Sequence, residues 1–183
     1  MSWGKAGIAG RLVAVALLGG LTAGCFQPMY AERTVTGEPA LREKLSAVDV
    51  SDIKTTNPQD ARLGVELRNG LLFNFTGGSG SQAPTHRLIV RMYSTRTSAI
   101  VDITTSRPDM ENYGLDASYE LREIATDKTV LRATTFARVS YDIPGQEQRF
   151  ARLRGLRDAE SRATKQIADN ISQRLSSFFI AGT

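Results

Sequence analysis

From Arg87 onward, polar and apolar residues alternate with a period of two. Leu88, Val90 and Met92 fall on one side, and Arg87, Ile89, Arg91 and Tyr93 on the other. Successive side chains of an extended backbone point to opposite faces, so this pattern predicts a half-buried strand. The strand is expected to continue, with interruption, through Ala99 to Ile103. A second run sets Leu115, Ala117, Tyr119 and Leu121 against Asp116, Ser118, Glu120 and Arg122. A third sets Leu131, Ala133, Ala137, Val139 and Tyr141 against Val130, Arg132, Thr134, Phe136 and Arg138. Ala125 to Lys128 makes a polar turn between these two runs. Consecutive strands of this kind predict an antiparallel meander with one buried face. Leu45 to Ile53 is a further, shorter strand candidate.

Two stretches change to the helical period. Asn57-Pro58 suits a helix start, because Asn caps and Pro fits the first turn. Leu63, Leu67, Leu71 and Phe75 then recur every fourth residue, with Val65 and Leu72 widening the stripe. This predicts an amphipathic helix over 58–75, closed by the glycines from Gly77. After Pro144-Gly145, a second helix is expected over 147–179. Its seam runs through Phe150, Leu153, Leu156, Ala159, Ala163, Ile167, Ile171, Leu175 and Phe178. The order is β-α-β-β-β-α: an α+β fold, with a four-stranded, mostly antiparallel sheet and two helices packed on one face. Two helices cover only one face of such a sheet. The other face should be polar, with Arg87, Arg91, Arg122, Arg132 and Arg138 as its candidate residues.

The N-terminal residues follow different rules. Lys5 and Arg11 precede an apolar run from Leu12 to Leu18, which Gly19-Gly20 breaks. Spanning a bilayer takes about 20 apolar residues, so this run fits a signal peptide instead. Ala23-Gly24 stands directly before Cys25, the sole cysteine of 183 residues. Small residues before a cysteine form a lipobox, whose thiol receives diacylglycerol. Acylation explains why the cysteine has no disulfide partner. Residues 1–24 are therefore expected to be removed as a signal peptide, 25–44 to act as a lipidated tether, and 45–183 to form one α/β domain. Each buried acyl methylene contributes about 0.8 kcal/mol, so two or three chains anchor firmly. Phe26 follows the cysteine where an inner-membrane retention signal would carry Asp, which points to the outer membrane.

Charge and chemistry narrow the function. The formal charge is +4 and loses two with Lys5 and Arg11, which does not indicate nucleic acid. His86 is the only histidine, and no Cys/His spacing suits zinc. No nucleophile motif or phosphate-cradling Gly-Lys-Ser/Thr loop accompanies it. The chain is expected to be a non-enzyme with no cofactor and no metal.

Several segments together resemble the lipopolysaccharide (LPS)-assembly lipoprotein family LptE. Cys25-Phe26-Gln27-Pro28-Met29-Tyr30 resembles the family's Cys-Gly-Phe-x-Pro-Leu/Met-Tyr opening, with the Gly absent. Leu67-Arg68-Asn69-Gly70-Leu71-Leu72 is similar to its Leu-x-Asn-x-Leu core. Tyr141-Asp142 with Pro144, Phe150-Ala151 and Arg157-Asp158-Ala159-Glu160 resemble its Tyr-Asp-x-Pro, Phe-Ala and Asp-Ala-Glu run. The resemblance implies an outer-membrane lipoprotein that plugs the LptD barrel, supports that barrel's assembly and binds LPS. LPS carries phosphates, which arginine binds in a bidentate manner. Arg91, Arg132 and Arg138, with Lys128 in the turn, are the candidate LPS contacts. The alternative is that these cations only pair with Asp116 and Glu120 or stay solvated. A different function is also open, as an auxiliary lipoprotein of an ABC-type phospholipid transport system.

Overall fold

The computed structural model describes residues 40–78, 80, 82–99, 110–142 and 149–181. Cys25, the signal peptide, nearly all of the tether and the expected continuation through Ile100–Ile103 lie outside them. So do Pro144-Gly145 and the expected helix start at Glu147.

Three long strands form the frame: β3 (His86–Ala99), β4 (Met110–Glu123) and β5 (Thr129–Asp142). They pair antiparallel in sequence order, with Val90 opposite Tyr119 and Tyr119 opposite Ala133. The far edge of β3 is covered in parallel by two short strands, β1 (Val48–Val50) and β2 (Lys54–Thr55). The sheet is thus four strands wide, with its first edge split. Alternation decides the faces, as read from the sequence. Leu88, Val90 and Met92 of β3, Leu115, Ala117, Tyr119 and Leu121 of β4, and Ala137 and Val139 of β5 are all buried.

Helix α2 (Ala61–Thr76) and helix α3 (Arg149–Ala181) cover that buried face together. α2 follows a single 3-10 turn at Pro58–Asp60 and ends where Gly77 adopts φ +62°. A left-handed residue there suits glycine, which has no Cβ to clash. Leu63, Leu67, Leu71 and Phe75 are buried as predicted. Val65 is not: it points to solvent, because it stands about 200° around the helix from Leu63. In α3 the seam from Ala159 to Leu175 is buried, but Phe150 is 84 % exposed and Leu153 is exposed as well. The expected continuous seam therefore starts later than its periodicity implies.

The segment read as one strand from Leu45 to Ile53 is divided. Leu41–Ser46 forms a short helix, α1, whose Leu41 and Leu45 enter the core, and only Val48–Val50 is extended before β2. Residues 41–44, expected in the tether, are therefore helical. Arg68 closes this corner by donating Nε to the Val50 carbonyl at 3.0 Å.

Polar groups bind the layers at both ends. The Tyr141 phenol donates to Glu111, whose other oxygen accepts Arg152 Nη2 at 2.9 Å. Glu160 of α3 accepts Arg62 of α2. Buried Asp60 accepts Ser94 Oγ at 2.7 Å. Burial pushes the Tyr141 phenol up to about 12, and the Glu111 hydrogen bond and charge add to it. Burial likewise pushes Tyr113 up to about 12.

Leu67 is fully buried beneath the helix layer. Leu67→Ala should lower the unfolding free energy by about 2–5 kcal/mol. Phe150→Ala should change it by no more than about 0.5 kcal/mol. Urea unfolding followed by circular dichroism measures both, and equal losses would contradict the late start of the α3 seam.

Candidate functional site: a basic sheet face

The face of the sheet away from the helices is built by the same alternation. β4 turns Asp116, Ser118, Glu120 and Arg122 outward while its odd-numbered neighbours enter the core. The register then fixes who meets whom. Glu120 lies between Ile89 and Arg132, Ser118 between Arg91 and Thr134, and Asp116 between Tyr93 and Phe136.

Glu120 becomes the hub. It accepts a hydrogen bond from Arg122 Nη2 at 3.3 Å, forms an ion pair with Arg132 Nη2 at 3.1 Å, and has Arg91 Nη1 at 3.9 Å. Its side chain is 13 % exposed, while Arg91 and Arg132 remain mostly exposed. Three guanidiniums share one carboxylate, so the cluster keeps a net positive charge with open donors. Arg122 also reaches Asp127 at 3.8 Å. The Arg122 hydrogen bond holds the Glu120 carboxyl below its ordinary value; partial desolvation opposes this, and the charges of Arg132, Arg122 and Arg91 reinforce it.

Two of the four expected contacts, Arg91 and Arg132, meet at this hub. Arg138 does not join them. Its Nη2 binds Asp116 Oδ1 at 2.9 Å, on a neighbouring row. Lys128 sits in the β4–β5 turn, where its carbonyl accepts the Glu123 N–H at 3.0 Å. No ion pair connects it to the hub among the described residues. Both sequence alternatives hold in part: the arginines pair with Asp116 and Glu120, and they still stay open to solvent. Sequence reading placed Arg122 on this face without choosing it as a contact. Its adjacency to Glu120 on one face, two residues apart, was the available signal.

His86 has a structural setting. Its ring meets Phe179 edge-on at 5.3 Å, and its Nδ1 lies 2.9 Å from Thr85 Oγ1. Burial lowers its pKa, with Glu123 opposing. Among the described residues, no group of three or more His, Cys, Asp or Glu side chains is placed to hold a metal ion.

The depressed Glu120 pKa carries a pH signature. A carboxylate whose folded pKa is lowered contributes stability above its unfolded value, and that contribution disappears as pH falls through the folded one. Glu120→Gln should therefore be less stable than the parent at neutral pH. The difference should shrink as pH drops below 4.5. Urea titrations at stepped pH test this, and a gap that persists in acid would refute it.

The LptE family model for lipopolysaccharide assembly matches residues 45–175. No curated protein matches the chain in sequence. A solved lipoprotein from Caulobacter crescentus CB15 is 17 % identical, covers 78 % of this chain and 97 % of its own, and superposes with a TM-score of 0.56. Rare lipoprotein B from Shewanella oneidensis is 15 % identical, covers 73 % of this chain and 97 % of its own, and gives 0.48. At such identities the likeness to the first speaks for a shared fold alone. The family match spans most of the chain and every element from the end of α1 to Leu175: the chain belongs to the lipopolysaccharide-assembly family LptE.

Proposed function

We propose that this protein is an outer-membrane lipoprotein that occupies the lumen of the LptD barrel, supports its assembly and binds LPS on its basic sheet face. Membership of a lipopolysaccharide-assembly family supplies the general role, and that family is one of non-catalytic lipoproteins. The observation that carries the LPS-binding part is the Glu120 hub, where exposed Arg91 and Arg132 outnumber their shared carboxylate. Phosphate oxygens complete the donor sets that one carboxylate leaves open. A polar exterior also suits the lumen of a large barrel, whose interior is polar.

The anchor in this reading is the acylated Cys25 thiol. Among the described residues no helix is long and apolar enough to cross a membrane. Both Lys128 and Arg138 remain secondary contacts in the proposal, since each lies apart from the hub. The phospholipid-transport alternative has no comparable support, because the family match concerns LPS.

Four measurements test this. Cys25→Ser should release the protein from the membrane fraction, and mass spectrometry of the parent should find acyl chains on that sulfur. Affinity purification from solubilised envelopes should recover a large outer-membrane barrel. Arg91→Glu with Arg132→Glu should cut LPS retention by about tenfold or more while leaving the fold intact. Recovery of an inner-membrane permease in place of a barrel would overturn the proposal in favour of phospholipid transport.

A further inference from the structure

Beside the arginine hub, the outer face carries a row of different character. Tyr93 on β3, Asp116 on β4 and Phe136 on β5 lie directly opposite one another in the register. Tyr93 is 50 % exposed and Phe136 is 64 % exposed. Arg138 reaches across from the next row. Its guanidinium carbon stands 5.3 Å from the Phe136 ring centroid while its Nη2 binds Asp116 Oδ1 at 2.9 Å. One face of the Phe136 ring is thus held by a cation, and the side chain remains largely open to solvent.

Gly114 makes this arrangement possible. A Cβ at that position would come 2.4 Å from Thr95 Oγ1 and 3.2 Å from Arg138 Nε. The missing side chain leaves the space through which Arg138 crosses β4. Asp116 Oδ1 is taken by Arg138, and Oδ2 is buried with no hydrogen-bond partner among the described residues. The row therefore combines two solvent-exposed aromatic side chains with a carboxylate between them that is paired to a guanidinium. Ser118 and Thr134 add hydroxyls on the next row.

We infer that Tyr93, Asp116, Phe136 and Arg138 form a saccharide-binding row that stacks sugar rings of the lipopolysaccharide beside the phosphate-binding hub. This rests on the reading that the domain binds LPS, and it assigns a second part of that ligand to separate residues. The choice of ligand follows from the alternation. A pyranose offers a C–H face to an aromatic ring and hydroxyls at its rim. Strands β3 and β5 are separated by two inter-strand steps, about 10 Å, which is comparable with two linked sugar rings. An acyl chain would fit poorly, because it would cover Asp116 and Arg138 with hydrocarbon at a desolvation cost.

The test uses the full-length protein in detergent and three probes: whole LPS, lipid-free dephosphorylated core oligosaccharide, and inorganic pyrophosphate. Calorimetry of the parent should show binding to the oligosaccharide. Tyr93→Ala with Phe136→Ala should weaken that binding by about tenfold or more and leave pyrophosphate binding unchanged. Phe136→Tyr should restore it, since the ring remains, and circular dichroism should show every variant folded. The inference is overturned if whole LPS binds the parent while the oligosaccharide does not, or if the double variant retains oligosaccharide affinity. Where that retained affinity comes with loss of the co-purifying barrel, the row is a protein contact instead. In both cases LPS binding by the domain stands. Failure of whole LPS itself to bind the parent would remove the underlying reading as well.

Discussion

A single helix layer on a single sheet is the constraint from which the rest follows. α2 and α3 bury one face of β3, β4 and β5. They have no counterpart on the other face among the described residues. Strand alternation then sorts every residue of the meander. In β4 it sends Tyr113, Leu115, Ala117, Tyr119 and Leu121 into the core and Asp116, Ser118, Glu120 and Arg122 to the outside. A slip of one residue would exchange the two sets, burying two carboxylates and a guanidinium. The register is therefore held by the cost of every wrong alternative, and the same register assembles the basic face.

That face is not built for stability. Its ion pairs join exposed arginines to partly covered carboxylates, and exposed pairs of this kind contribute about 0–1 kcal/mol each. Arg138 lies with Asp116, and Arg87 with Asp49 at 3.0 Å, on the surface of a sheet already secured by its other side. What the pairs do accomplish is geometric. Glu120 draws Arg91, Arg122 and Arg132 into one place without neutralising them. Mutual repulsion would otherwise spread three guanidiniums apart. A charged hub is thus a means of concentrating donors that a ligand anion can use.

Much of this was legible in the chain because it depends on local period. The three strands, their inward and outward residues, α2 from Leu63 to Phe75 and the central seam of α3 all follow from spacing alone. The failures share a cause, which is that periodicity says nothing about the extent of the partner surface. Phe150 and Leu153 continue the helical stripe, yet α3 exposes both. Val65 is apolar but off the stripe. α1 and the divided parallel edge escaped because such short elements show no full period, and the edge strands pair with β3 across the whole of α2 in sequence. The hub itself required register across three strands. The residues were named from alternation, but that Arg91 and Arg132 share one carboxylate while Arg138 takes another is a non-local fact. The Tyr141 motif was visible as a resemblance; its partner Glu111, thirty residues earlier, was not.

The open side of β5 joins these themes. It is the last strand of the sheet and fourteen residues long, and among the described residues no strand pairs with its outer edge. A long edge with exposed Val130 and Phe136 invites strand addition from another chain. Two features oppose that. The pairing is irregular at Leu121/Arg122, so the edge is not flat at its start. Arg132 and Arg138 flank Phe136, and in an antiparallel self-pairing centred on Thr135 they would stand opposite each other, placing like charges in contact. Arg132 and Arg138 on the outer face therefore also oppose pairing of this edge with a second copy.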